Sequence, residues 1–94
     1  PFAVECKYRQ NYFNGEVEIS YPAQLDRYKK FEQEKNMPVF MAIGIGGNPK
    51  SPESLFIVPI SELNQTTLSR KELSPYYKNP DSEFFYVART NKLE

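Results

Sequence analysis

An acid and a lysine two positions apart, Glu5 and Lys7, are the residues of this chain whose types and spacing best suit chemistry. They lie within residues 2–8, where apolar, β-branched and aromatic residues predict a β-strand. Because alternate side chains of a strand share a face, Glu5 and Lys7 point the same way. We expect Val4 and Cys6 on the opposite face, packed in the core. The charged pair is then either the solvated face of an amphipathic strand or a site.

The composition limits the chemistry that such a site could perform. The 94 residues, a length that predicts a single domain, include twelve acids, twelve bases, one cysteine and no histidine. Without histidine the chain has no Ser-His or Cys-His nucleophile and lacks a usual zinc ligand. Catalysis would have to come from carboxylates, lysines and tyrosines acting with a hard metal ion. The zero net charge gives no sign of the basic excess typical of nonspecific DNA binders.

Targeting features are absent from the sequence. No apolar stretch reaches the length of a membrane span, and no signal peptide opens the chain. We therefore expect a soluble, cytoplasmic domain with no membrane partner. Because the chain begins with Pro1 rather than methionine, we interpret residues 1–94 as a single domain and a fragment of a longer protein.

The clearest helix prediction covers residues 23–35, which contain no glycine or proline. Ser20 is the expected cap, Pro22 suits the first turn, and Asn36 is expected to end the helix. An apolar stripe at three-residue steps is formed by Leu25, Tyr28 and Phe31.

The remaining elements predict a sheet for this helix to cover. The apolar run at residues 38–45 predicts a strand buried on both faces, and residues 55–60 predict a second apolar strand. Asn14-Gly15 predicts a hairpin turn, residues 69–72 match a capping box, residues 76–81 a loop and residues 83–88 a last strand or extended tail. This order predicts an α/β or α+β fold, with a mixed central sheet of about three to five strands and one main helix.

The order of motifs resembles the PD-(D/E)XK nuclease superfamily, which has a restriction-endonuclease-like core. In that family an acid-x-lysine motif lies on a central strand, and Glu5-x-Lys7 is similar to it. Gln24-x-x-x-Tyr28 is similar to the Gln-x-x-x-Tyr motif that the helicase-associated exonuclease branch carries on the next helix. The resemblance covers residues 2–60 and leaves the remainder unmatched.

The resemblance implies an endo- or exonuclease-like phosphodiesterase that acts on DNA and depends on Mg²⁺ or Mn²⁺. Glu5 and the carbonyl of Cys6 would bind the metal ion, and Lys7 would position the attacking water. Gln24 would reach the same water or a substrate phosphate, and Tyr28 would bind the substrate. Glu5, Lys7 and Gln24 are thus the expected catalytic residues.

One part of the family pattern has no counterpart in this chain. The family carries a metal-binding aspartate on the strand before the acid-x-lysine, so we expect this fragment to be inactive by itself. The alternative is a non-catalytic module of the same fold that binds nucleic acid or protein. The exposed strand edges of a truncated sheet also favour a homodimer. A third interpretation is a small α+β domain in which Glu5 and Lys7 form a solvated strand face.

Overall fold

The computed structural model describes residues 2–79 and the strand pairing of residues 86–87 and 92–93. Strands, two α-helices and two short 3₁₀ turns follow one another along this part of the chain. In order they are β1 (Ala3–Arg9), β2 (Glu16–Glu18), α1 (Pro22–Lys35), β3 (Val39–Ile45), β4 (Ser54–Pro59), a 3₁₀ turn (Ile60–Glu62), β5 (Thr67–Ser69), α2 (Arg70–Leu73), a second 3₁₀ turn (Ser74–Tyr76), β6 (Tyr77–Lys78), β7 (Tyr86–Val87) and β8 (Lys92–Leu93).

A mixed four-stranded sheet with the order β1-β3-β4-β6 is the centre of the fold. β1 and β3 run parallel and are connected through α1, whereas β4 and β6 are antiparallel to their neighbours. β3 is apolar throughout and is buried on both faces, as the sequence predicts for an interior strand. The predicted mixed sheet with one main helix is confirmed, in its α+β form.

A second, small sheet pairs β2 with β5 in antiparallel orientation. The turn before β2 has a positive φ at Asn14 (51°) and at Gly15 (77°), with Phe13 and Glu16 paired across it. This conformation confirms the predicted turn, since both residues tolerate positive φ. Val17 of β2 is buried and its two neighbours are exposed, which fixes the face that β2 turns to the core.

Helix α1 begins one residue earlier than predicted and ends as predicted. Asn36 adopts a left-handed conformation with φ 49°, and its N–H bonds to the last turn of the helix. The predicted Ser20 cap is wrong, because Tyr21 occupies the cap position and caps with no side-chain hydrogen bond. The Ser20 hydroxyl instead donates to Gln24 Oε1 over 2.9 Å.

The main core lies between α1 and the sheet, and the second sheet and α2 close it. Of the predicted apolar stripe on α1, Leu25 is buried and Tyr28 is half-buried, whereas Phe31 is 41% exposed. The largest fully buried side chains of the whole fold are Phe40, Ile19, Met41, Ile43, Ile60, Leu63, Leu73 and Val58. Phe40 and Ile57 form a separate cluster with Ala42 and Leu55 on the other side of the sheet.

The region after β4 confirms one prediction and corrects another. Ser69 Oγ accepts from the Glu72 N–H over 3.1 Å and the Glu72 carboxylate accepts from the Ser69 N–H, so the capping box is present. The loop predicted from residue 76 is wrong at β6, which pairs with β4 through Leu55 and Phe56. Of the predicted strand at residues 83–88, only β7 is described, and the rest lies outside the described residues.

None of the helices in residues 2–79 combines the length and the hydrophobicity that crossing a bilayer requires.

Candidate functional site

Strand β1 turns its charged face, and not its apolar face, toward the helix. Ala3, Glu5 and Lys7 are half-buried, whereas Val4 is 43% exposed and Cys6 is exposed. The prediction that Val4 and Cys6 pack in the core is therefore wrong. α1 crosses above the face that carries Glu5 and Lys7, and the long side chains on this face contact the helix.

Lys7 is bound to the first turn of α1. Its Nζ donates to Gln24 Oε1 over 3.0 Å and lies 5.9 Å from the centre of the Tyr28 ring. Gln24 Oε1 also accepts from Ser20 Oγ, and Ser20 is buried. Because two donors converge on one carbonyl oxygen, the orientation of the Gln24 amide is fixed, and its Nε2 points away from Lys7.

Glu5 meets the next turn of the same helix. Burial raises the pKa of the Tyr28 hydroxyl, and the negative charge of Glu5 and a hydrogen bond to its carboxylate raise it further. The raised pKa means that the Tyr28 hydroxyl keeps its proton beside the Glu5 carboxylate. The four side chains predicted for the site, Glu5, Lys7, Gln24 and Tyr28, thus lie together between β1 and α1.

The backbone of Cys6 faces the outer edge of the sheet. Ala3 N–H donates to Pro38 and Arg9 C=O accepts from Gly46, so these odd-numbered positions of β1 face β3. Alternate residues of a parallel strand direct both backbone groups to opposite sides. The carbonyl of Cys6 therefore points to the side of β1 on which residues 2–79 provide no neighbouring strand.

Beside Glu5 the gap between β1 and α1 widens into an open groove. It encloses about 320 Å³ and is lined mainly by apolar side chains, with Glu5 and Arg27 at its rim. The apolar lining consists of Ala3, Val4, Tyr28, Phe31 and Val39. The site is therefore an open cleft at a sheet edge rather than an enclosed cavity.

The metal ligands implied by the sequence resemblance are only two oxygen donors. Glu5 supplies a carboxylate and Cys6 a backbone carbonyl, which are suited to a hard cation such as Mg²⁺. Within the described part of the chain, no three His, Cys, Asp or Glu side chains cluster as a metal site would require. The donors fit Mg²⁺ in kind, and the remaining ligands would come from water, substrate or another segment.

Two features of the site escaped prediction from the sequence. Ser20 was expected to cap the helix, and instead its hydroxyl donates to Gln24 Oε1 and orients the amide. Arg27, whose Nη2 lies 3.3 Å from the Tyr21 hydroxyl, stands at the rim of the groove with its guanidinium 5.9 Å from the Tyr21 ring. The spacing of Ser20 and Gln24, one helical turn apart, is the only sequence signal that could have indicated their contact.

Comparisons with known proteins do not assign the chain to a family. No family model matches the sequence. No curated protein shows significant similarity to it. No solved structure matches the fold at a significant level. The arrangement of Glu5, Lys7, Gln24 and Tyr28 is thus the information from which a function is inferred.

Proposed function

We propose that this chain carries part of the active site of a Mg²⁺- or Mn²⁺-dependent phosphodiesterase that acts on DNA. The observation that carries the proposal is the meeting of Glu5, Lys7, Gln24 and Tyr28 between β1 and α1, beside a strand edge that no strand of residues 2–79 covers. A solvated strand face would leave Glu5 and Lys7 without contacts to the helix. A cytoplasmic location is part of the proposal.

Glu5 and the Cys6 carbonyl would hold the metal ion, which when bound lends Lewis acidity toward a phosphate oxygen. Within residues 2–79 the cleft holds one carboxylate, Glu5, which is fewer anionic ligands than a catalytic Mg²⁺ pair would use. The proposal therefore requires a second carboxylate in addition to Glu5, and we expect little or no cleavage where that carboxylate is missing.

Lys7 and Gln24 would contact the phosphodiester and the attacking water. One N–H of the Lys7 ammonium is used by Gln24 and the group carries three, so the others can reach a water or a phosphate oxygen. The cation would stabilise negative charge as it develops on phosphorus-bound oxygens. Gln24 has both lone pairs of Oε1 occupied by Lys7 and Ser20, which leaves the Nε2 donors for a phosphate oxygen.

The experiment is a cleavage assay on the natural polypeptide that contains this sequence, with labelled DNA and Mg²⁺ or Mn²⁺. We expect Glu5→Gln and Lys7→Met each to lower the rate by about a hundredfold or more, the scale typical of positioned charges in catalysis. The matched controls Glu34→Gln and Lys71→Met change exposed charges on α1 and α2, and should leave the rate unchanged.

Metal-dependent cleavage that survives both Glu5→Gln and Lys7→Met would overturn the proposal. So would a polypeptide that cleaves no DNA at any metal concentration. In that case DNA binding that weakens with salt would favour the second candidate, a non-catalytic binding module. The presence of a single carboxylate in the cleft is the observation that favours this second candidate.

A further inference from the structure

Strand β1 has an outer edge that no strand of residues 2–79 covers, and the Arg9 side chain bridges the carbonyls of Tyr8 and Glu18 at one end of it. It is the terminal strand of the central sheet, seven residues long, with no proline in it. Val4, Cys6 and Tyr8 direct their backbone groups outward, because Ala3 and Arg9 direct theirs to β3. The carbonyl of Tyr8 accepts from Arg9 Nη1, and no strand of residues 2–79 pairs with Val4 or Cys6. Such an edge is a template for another strand.

The sequence of β1 is complementary to itself in one antiparallel register. When Cys6 stands opposite Cys6 of a second copy, Glu5 stands opposite the partner's Lys7, and Lys7 opposite the partner's Glu5. In the same register Val4 stands opposite the partner's Tyr8. Directly opposite residues share a face, so the charged face gains two pairs of opposite charge and the other face two apolar pairs.

The hydrogen-bonding side of the strand agrees with this register. Even-numbered residues have their backbone groups on the outer edge, and the register pairs even-numbered residues with even-numbered residues. Val4, Cys6 and Tyr8 would therefore form the hydrogen-bonded pairs of the new ladder without changing the bonds between β1 and β3, and the Tyr8 carbonyl would accept from Val4 of the second copy in addition to Arg9 Nη1. A register shifted by one residue would place charged side chains against the apolar ones.

We propose that a second copy of this chain pairs with the outer edge of β1 in this register and extends the sheet across a twofold axis at Cys6. Two of the exposed large hydrophobic residues lie beside this edge: Val4 (43%) and Phe31 (41%). Val4 and Phe31 also line the groove between β1 and α1. Pairing of β1 strands places the second copy against this apolar surface, which burial would stabilise.

The dimer supplies the carboxylate that the cleft lacks. In this register the two Glu5 residues are diagonal neighbours on one face, with their Cβ atoms about 7–8 Å apart. Two carboxylates at that separation can approach the same cation or two neighbouring ones. This consequence rests on the proposed phosphodiesterase function, whereas the pairing itself rests only on the strand edge and its sequence.

The first experiment exchanges the two charges in separate chains. Glu5→Lys places like charges opposite one another in its own dimer, and so does Lys7→Glu, whereas a mixture of the two variants restores opposite charges in every pair. By sedimentation at low salt we expect each variant alone to dissociate roughly tenfold more readily than the unchanged chain, and the mixture to form heterodimers. The controls Glu34→Lys and Lys71→Glu change the net charge equally at exposed positions elsewhere.

The second experiment uses Cys6, the one cysteine of the chain, to read the register. Opposite residues of a hydrogen-bonded antiparallel pair have Cα atoms about 5.5 Å apart, within the range of a disulfide. Diamide, which accepts the two hydrogens of the thiols, should therefore link two copies at micromolar protein. Val4→Cys in a Cys6→Ser chain places its thiols roughly 13 Å apart in this register and should not link.

The outcomes separate this proposal from the function proposed above, because neither experiment involves metal or DNA. A chain that sediments as a monomer at all concentrations overturns the pairing, and another segment or protein would then be the occupant of the edge. Dimers that link through Val4→Cys and not through Cys6 would overturn the register. A dimer with the expected behaviour, together with a natural polypeptide that cleaves no DNA, would support the pairing and contradict the phosphodiesterase.

Discussion

The orientation of Gln24 depends on a serine that the sequence assigns to another role. Ser20 is buried, and its hydroxyl and the ammonium of Lys7 donate to the same oxygen of Gln24. The Gln24 amide is therefore oriented by two donors, the neutral hydroxyl of Ser20 and the ammonium of Lys7 on the sheet. This arrangement makes Ser20 a positioning residue, since it acts on the substrate side only through Gln24.

We expect Ser20→Ala to lower the free energy of unfolding by about 1 kcal/mol, the usual loss for one partly buried hydrogen bond. Urea denaturation measures this value. Ser61→Ala, at an exposed position of the first 3₁₀ turn, is the control and should change stability by less than about 0.5 kcal/mol. Equal effects of the two substitutions would show that the Ser20 hydroxyl contributes no bond.

The pKa of Tyr28 reports the contact with Glu5. Burial raises it above the ordinary value of 10.0, and the charge and hydrogen bond of Glu5 raise it further. Glu5→Gln should bring the pKa part of the way back, because burial remains. NMR of tyrosines labelled at Cζ resolves the titration. Glu62→Gln is the matched control, since Glu62 bonds to the hydroxyl of Tyr76 and should leave Tyr28 unchanged.

The sign of the effect on stability follows from the raised pKa. A tyrosine that keeps its proton more tightly when folded contributes stability below pH 10, and this contribution is lost as the pH rises through the folded value. We therefore expect the thermal midpoint to fall above pH 10, and to fall less in Glu5→Gln than in the unchanged chain. A larger fall in Glu5→Gln would contradict the contact between Glu5 and Tyr28.

At the scale of elements, the sequence shows which residues of a strand share a face more reliably than it shows which of the two faces is buried. In β1, alternation correctly places Glu5 and Lys7 on one face, but not on the face that the helix covers. Hydropathy favours burial of the face with Val4 and Cys6 instead. The aliphatic parts of the Glu5 and Lys7 side chains allow these residues to lie under α1 while their charged groups contact polar groups of the helix. The other face of β1, with Val4 and Cys6, stays exposed.

Short strands are the elements that composition does not predict. β6 has two residues and β5 three, so neither contains enough alternation to be distinguished from a loop. β6 forms because the longer strand β4 presents a pairing edge, whereas β5 pairs with β2, which is equally short. The longer elements follow from the sequence more directly. The apolar spacing of α1 predicts a helix that ends at Asn36, and the apolar run of β3 predicts a strand that ends before Gly46.

Two tight turns are expected to differ in their tolerance of alanine. Gly15 has φ 77° and open space around its missing Cβ, so Gly15→Ala should cost only the backbone term of about 1–2 kcal/mol. Gly47 has φ 62°, and an added Cβ would come within 2.5 Å of the Ser51 carbonyl oxygen. We expect Gly47→Ala to be the more destabilising substitution in urea denaturation. Equal losses would show that the loop after β3 relaxes to admit the methyl group.

At the scale of the whole molecule, the cleft and the sheet edge are one region. The side chain of Glu5 faces α1 and lies in the cleft. The backbone of the next residue, Cys6, faces outward at the sheet edge, so the two features meet at these neighbouring residues. The sequence predicts that Glu5 and Lys7 share one face of a strand and that Gln24 and Tyr28 follow on the next helix. It could not predict that the parallel strand β3 would occupy the inner side of β1 and leave the outer side open.

An open outer edge predicts that stability depends on protein concentration. If a second copy pairs through β1, the thermal midpoint should rise as the concentration increases, since association stabilises the folded state by mass action. Cys6→Pro should abolish that dependence: proline lacks the N–H that Cys6 directs outward, and the bonds to β3 come from its neighbours. Cys6→Ser keeps the N–H and should behave as the unchanged chain. A concentration-dependent midpoint in Cys6→Pro would show that the copies associate through a different surface.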